Sequence, residues 1–259
     1  MRRVWILLEK DLYEMLRQRA LLGGVLGPAV ILTAIPLVVF AASAWLIGHP
    51  GGTPPPTAPR LEGLSAGESA QVFVGTEFSA LYVLMPVILT SVIAAYGVVG
   101  EKTARTLEPL LATPLRTSEL LLAKILGSLL PGLAMTWISG IIFVVGLRVF
   151  TANARVFAMV ITPGWLILLI LWAPLLAVVA TAGIVMISSR VNDPRSAQQL
   201  SATLVVPFLI LIVGQAAGRV VLSPSLTLAV AAVLAVLAVL MLRVATSFFQ
   251  REAILTRWR

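Results

Sequence analysis

The chain has 259 residues, of which 59% are apolar, and a mean hydropathy of +1.01, so it is far more apolar than a soluble globular domain. It contains no cysteine, which excludes disulfides, thiolate metal sites and a cysteine nucleophile. The net charge of +8 reflects membrane orientation, as argued below, so nucleic-acid binding need not be invoked. Composition therefore predicts an all-α polytopic membrane protein, with a single membrane domain over residues 1–259.

Residues 1–20 are predicted to form an amphipathic helix. Apolar residues such as Trp5, Leu8 and Leu12 recur at helical spacing, while most charged residues fall on the other side. Such a helix would lie in the cytoplasmic interface of the membrane, with its apolar side at the headgroup boundary. Anchoring of the first span is the minimal interpretation, and contact with a cytoplasmic partner stays open.

Six apolar stretches are long enough, or nearly so, to cross a hydrocarbon core about 30 Å thick, which needs roughly 20 helical residues. None of them contains Asp, Glu, Lys, Arg or His. Six prolines inside these stretches are expected to bend or locally break the helices: Pro28, Pro36, Pro86, Pro131, Pro174 and Pro207. A small-residue face for close packing is predicted at Gly23, Gly24 and Gly27. The predicted spans are residues 21–47, 78–100, 125–147, 165–189, 201–217 and 226–242.

The positions of the basic residues predict the orientation of the spans. Fifteen of the 19 Lys and Arg residues fall in the N-terminal segment, the loops 101–124 and 190–200, and the C-terminal tail. Basic residues favour the cytoplasmic side, so both termini and the loop 101–124 are predicted to be cytoplasmic. The longest outside loop is then residues 48–77, which is Pro-rich at its start and can form a short interfacial helix from Ser65 to Glu77.

The loop 101–124, EKTARTLEPLLATPLRTSELLLAK, is charged, broken by proline and placed between two uncharged spans. Its first part, Glu101–Leu111, is predicted to be a short polar helix leaving the membrane. Pro114 ends that part, and Thr117 or Ser118 can cap a new helix that runs through Lys124 into the third span. The predicted result is a helix–break–helix projection into the cytoplasm.

This loop resembles the one between spans two and three of membrane permeases in the type-2 class of ATP-binding-cassette (ABC) exporters. The usual family pattern is E-[KR]-E-x-G-T-L-E-x-L-L-[AS]-[ST]-P, followed some ten residues later by Lys. The chain departs from it at Thr103, which replaces an acidic residue, and at Arg105, which replaces glycine. Residues 9–22 and 190–200 are also similar to family segments. The matching loop residues are Glu101, Lys102, Thr106, Leu107, Glu108, Leu110, Leu111, Ala112, Thr113, Pro114 and Lys124.

The resemblance implies a permease without a catalytic, cofactor or metal site, in the inner (cell) membrane of a bacterium or archaeon. Each copy would pair with a second permease copy, as a homodimer or heterodimer, and dock its loop into a cleft on a separate ATPase subunit that holds ATP and Mg. Closure of the ATPase pair would then drive alternating access. The residues expected to bind that partner are Glu101, Thr106, Glu108, Leu110, Leu111, Thr113, Pro114 and Leu115.

Two other functions stay open at the level of sequence. A permease-like component of a cofactor-maturation system, for copper or haem, would share the fold and the ATPase. A sodium-coupled carrier would instead use neutral oxygens inside the spans, since proton-coupled carriers generally place an ionisable residue there. An intramembrane enzyme lacks reactive residues, because His49 is the sole histidine and the HExxH and GxSxG motifs are absent.

Overall fold

The computed structural model of the chain describes residues 2–47, 63–103, 117–151, 153–188 and 223–248, with isolated positions at 199, 203, 206 and 210. Within these residues the chain is helical and contains no strand, as predicted. Five stretches are long and apolar enough to cross a membrane: Leu21–Ser43, Ala66–Gly97, Glu119–Phe150, Pro163–Ile187 and Ser225–Thr246.

These five stretches overlap the first four predicted spans and the sixth. The predicted fifth span, residues 201–217, lies outside the described residues except at 203, 206 and 210. In chain order the helices are α1 (Arg2–Arg17), α2 (Arg19–Ile47), α3 (Ala66–Ala80), α4 (Leu84–Thr103), α5 (Thr117–Phe150), α6 (Ala154–Val160), α7 (Pro163–Ile167), α8 (Ala173–Ser188) and α9 (Pro224–Phe248).

Helices α4 and α8 form the centre of the described bundle. They pack against each other, and both also contact α5. Helix α2 covers α4 from one side, α9 packs on α8, and α1 lies along α5. Large side chains of the central pair are fully buried, among them Met85, Leu89, Leu176 and Ile184.

The helical region containing the second span begins at Ala66, twelve residues before the predicted start of that span. Ser65 caps it with a reciprocal pair of hydrogen bonds. The Glu68 amide donates to Ser65 Oγ at 3.2 Å, and the Ser65 amide donates to Glu68 Oε2 at 2.8 Å. One turn of 3₁₀-helix, Leu81–Val83, then joins α3 to α4. The helix expected from Ser65 to Glu77 is therefore continuous with the second span.

The fourth span contains a π-helical segment, Leu168–Trp172, directly before Pro174. The Ala173 amide donates to Leu168 O, five residues back, so Leu169 O loses its ordinary α-helical donor. The next amide in line would belong to Pro174, which has no N–H. The indole of Trp137 supplies the missing donor, with Nε1 at 3.1 Å from Leu169 O. The proline therefore alters the helix locally, and α5 satisfies the carbonyl that it frees.

Close helix packing in the described residues occurs mainly at glycines that the sequence did not single out. A Cβ atom on Gly23 or Gly27 would meet no described atom within 4 Å, whereas one on Gly24 would lie 3.1 Å from Val92 Cγ1, so the described residues support close packing at Gly24 but do not test it against other segments at Gly23 and Gly27. At Gly132 a Cβ atom would lie 2.4 Å from Thr90 Cγ2 and 3.1 Å from the Thr90 amide nitrogen. The tightest described approach of α5 to α4 therefore depends on a glycine in the third span.

Candidate functional site

The predicted partner-binding loop is held between α4 and α5. Helix α4 ends at Thr103 and α5 begins at Thr117, where the sequence predicted a cap. The two helices pack side by side, so both ends of the loop leave the bundle at the same end. Glu101 lies in the last turn of α4. The other predicted site residues lie outside the described residues and stay predictions: Thr106, Glu108, Leu110, Leu111, Thr113, Pro114 and Leu115.

Helix α1 packs against α5 at this same end of the bundle. Its packed face includes Val4 and Leu8, which are 7% and 3% exposed, and Asp11 and Met15 continue the stripe at helical spacing. A second group of apolar side chains remains exposed: Trp5, Ile6, Tyr13 and Leu16. Such a helix has one face available for the bundle and another for a membrane interface, although the structure contains no membrane.

A buried ion pair joins α1 to α5. Lys124 Nζ donates to both carboxylate oxygens of Asp11, at 3.0 Å to Oδ1 and 2.9 Å to Oδ2. The two side chains are only 7% and 14% exposed. Burying a charge is unfavourable unless a partner compensates for the lost hydration, and the contact with both oxygens supplies that partner. By contrast, the pair Lys10–Glu14 on the same helix is 40% and 47% exposed, with Nζ and Oε1 3.4 Å apart.

A glycine on α5 leaves room for Asp11. A Cβ atom on Gly127 would lie 3.3 Å from Asp11 Oδ2 and 3.5 Å from Asp11 Cβ. Ser128 follows, and its Oγ donates to Lys124 O at 2.9 Å. The absence of a side chain at Gly127 therefore leaves space for the Asp11 carboxylate beside Lys124. The neighbouring Ser128 hydroxyl bonds within its own helix.

Sequence reasoning included Lys124 in the matched loop but did not single out Asp11. The available signal was an acidic residue in an otherwise apolar stripe, since Val4, Leu8 and Met15 share a helical face with it. The pairing joins residues 113 positions apart, so no local sequence pattern predicts it. Asp11 is the residue that the structure adds to the candidate site.

The hydroxyl groups inside the spans mostly bond to their own helices. Thr33, Thr90, Thr136 and Thr181 each donate to the carbonyl one turn earlier, at 2.6–2.8 Å. Ser91 Oγ is buried and has no hydrogen-bond partner among the described residues. In the same part of the chain, no group of three or more His, Cys, Asp or Glu residues could hold a metal ion. The interior hydroxyls therefore serve chiefly to satisfy helix backbones.

The sequence model of a family described as "ABC-2 family transporter protein" matches residues 55–249, which is three quarters of the chain. The matched region contains α3 through α9 and the whole loop 101–124, whereas α1 and α2 precede it. No curated protein matches the chain.

Proposed function

Because this chain belongs to the ABC-2 family of transporter proteins, we propose that it is the permease subunit of an ATP-driven exporter. The chain is a multi-pass membrane component of an ABC transporter, with several apolar helices of spanning length. The proposal adds that it works with a separate ATPase subunit, that two permease chains form the transport unit, and that transport proceeds by alternating access.

One observation carries this proposal. The loop with the family motif lies within the matched residues, and its two ends are held together by α4 and α5, which pack side by side. A loop whose two ends are both fixed can transmit a force from the ATPase to the spans. A flexible connector would move without displacing them. Helix α5 continues from this end without a break for 34 residues, about 50 Å, so a displacement at Thr117 would act on the entire third span.

The docking contact is proposed to be partly apolar and partly charged. Leu110, Leu111 and Leu115 would fill a cleft on the ATPase, while Glu101 and Glu108 would set the register of the loop. Thr113 and Pro114 would shape the break between its two halves, and Thr106, in the first half, would join the docking contact. ATP and Mg would bind on the partner, and this chain would contribute no catalytic group. The termini and the loop would face the cytoplasm of a bacterial or archaeal cell.

The proposal is tested by purifying the chain from its native membrane in mild detergent and identifying the proteins that accompany it. We expect an ATPase subunit with a phosphate-binding loop, and at least tenfold less of it with Glu108→Lys, since the reversed charge would oppose docking. Glu9→Lys makes the same charge change at an exposed position on α1 and should retain the ATPase. If the wild-type chain purifies alone and supports flux driven by an ion gradient in vesicles, a carrier function replaces this one.

A further inference from the structure

The buried ion pair lies close to one end of the predicted coupling loop. Lys124 is seven residues after Thr117, the first residue of α5, which places it about 10 Å along the helix axis from the end of the loop. Asp11 reaches this position from α1, a helix that lies far from the loop in the sequence. The first two turns of α5 are thus bound to a second helix by a charged contact.

Three separate features adapt α1 and α5 to each other. Val4 and Leu8 bury apolar surface in the contact, Gly127 leaves space for the acid, and the two charges meet in a site that is largely closed to solvent. An exposed ion pair on a helix surface contributes little and is easily broken. A buried pair behaves differently, because separation of its members would take each buried charge away from an oppositely charged group that offsets its lost hydration. The contact between α1 and α5 is therefore expected to persist while the bundle moves.

The same contact reaches the first span. Only Gln18 separates α1 from α2, and its carbonyl accepts hydrogen bonds from the amides of Leu21 and Leu22 at 3.1 Å and 3.0 Å. Because this link is short and hydrogen-bonded, a movement of α1 is expected to move the start of α2 as well. Helix α2 also packs directly on α5, and a Cβ atom on Gly146, toward the far end of α5, would lie 2.7 Å from Leu37 Cδ1.

We infer that Asp11 is a positioning residue for coupling. By pairing with Lys124 it fixes α1 to the first turns of α5, so that α1, α5 and the start of α2 respond to the loop as one rigid unit. This inference rests on the proposed function, because the force that it transmits is the one applied by the ATPase. It assigns a role to Asp11, which lies outside the family match, and it requires that α1 never separates from α5 during the cycle.

The chain offers a direct test, because it contains no cysteine. A Cβ atom on Gly127 lies 3.5 Å from Asp11 Cβ, which is within the range that a disulfide needs. The double variant Asp11→Cys, Gly127→Cys therefore replaces the ion pair with a bond that can be closed by oxidant and opened by reductant. Both states are measured on one purified preparation of the complex with its ATPase, in lipid nanodiscs, so a folding defect cannot explain a difference between them.

We expect Asp11→Asn to bind the ATPase normally and to lower the kcat of ATP hydrolysis at least fivefold with an unchanged KM for ATP. The loop would then lack a fixed support, and fewer ATP-binding events would lead to closure. The reduced double variant should resemble Asp11→Asn, and oxidation should restore kcat to within twofold of wild type. Glu14→Gln, which removes the exposed pair on the same helix, should change neither constant. The single cysteine variants should not respond to oxidant.

Each contrary result has a distinct meaning. Failure of the two cysteines to form a disulfide would overturn the geometry, and this arm needs no ATPase. Loss of turnover on oxidation would show that α1 must leave α5, which contradicts a rigid unit. Normal turnover of Asp11→Asn would remove the positioning role while leaving the permease assignment intact. If no ATPase accompanies the wild-type chain, the proposed function fails, and the coupling role fails with it even where the disulfide forms.

Discussion

Two predicted spans of similar apolar character occupy different places in the bundle. Within the described part of the chain, 78% of the apolar window in Ala66–Gly97 is buried, against 22% of that in Ser225–Thr246. The buried span is the less apolar of the two. Hydropathy therefore shows that a helix belongs in a membrane but does not show whether it lies inside the bundle or at its edge.

The side chains of the two helices explain the difference. The central helix α4 carries Thr90, Ser91, Ala94 and Ala95, whose small size allows neighbouring backbones to approach. Helix α9 instead exposes larger branched side chains, among them Val233, Val236 and Leu240. Lipid tails are as apolar as Leu, so burial of such a residue against another helix gives little advantage over lipid. Close packing, and not apolarity, selects the central helices.

The largest loss of stability is expected from a substitution at Gly132, where α5 approaches α4 closely. Gly132→Val would place a branched side chain where even a Cβ atom lies 2.4 Å from Thr90 Cγ2, and should reduce stability by about 3 kcal/mol. Gly23→Val, at an exposed glycine with no described atom within 4 Å of the added carbon, is the matched control. Thermal unfolding of the detergent-purified chains measures both. Equal stability of the two variants would contradict the packing described for α4.

A leucine pair tests the same contrast by removing side chains. Leu176 on α8 is 1% exposed, whereas Leu228 on α9 is 53% exposed. Leu176→Ala should destabilise the chain by about 2 kcal/mol, because it leaves a cavity in the centre of the bundle. Leu228→Ala should remain within about 0.5 kcal/mol of wild type, since lipid or detergent fills the space. A larger loss at Leu228 would indicate that an undescribed segment or a second copy covers α9.

A smaller effect is expected from the hydrogen bond that attaches the edge helix to the centre. Trp172 is 1% exposed, and its Nε1 donates to Thr227 O at 2.9 Å, which links the fourth span to α9. Trp172→Phe keeps an aromatic ring but loses this bond, for a loss of about 1 kcal/mol. Trp137→Phe removes the indole bond to Leu169 O at a 42% exposed position and serves as the comparison. The free energy of unfolding of both variants is measured near 25 °C in the same detergent. Trp172→Phe should be less stable than Trp137→Phe.

The smallest effect is expected at the exposed ion pair on α1. Glu14→Gln removes the partner of Lys10 on the helix surface, where solvent screens both charges. The stability should change by less than about 0.5 kcal/mol. Thermal unfolding checks this value with Asp11→Asn measured alongside. A loss at Glu14 equal to that at Asp11 would remove the distinction between the buried and the exposed pair.

Much of the fold could be predicted from local sequence. Uninterrupted apolar runs located five of the spans, and α5 begins at Thr117, close to the helix start predicted at Thr117 or Ser118. The loop motif pointed to the family that the later match shows. By contrast, the close packing predicted for Gly23 and Gly27 has no neighbour within the described residues, since a glycine in a helix does not reveal which neighbour approaches it.

Local sequence was sufficient to predict the membrane class, most of the spans, the position of the loop and the family, because each depends on composition or on residues close together in the chain. The folded chain was needed to show that α4 and α8 are central, that Trp137 satisfies Leu169 O, and that Asp11 pairs with Lys124. These are contacts between distant segments. They are set by which helix faces fit together in space, and apolar periodicity along one helix does not contain that information.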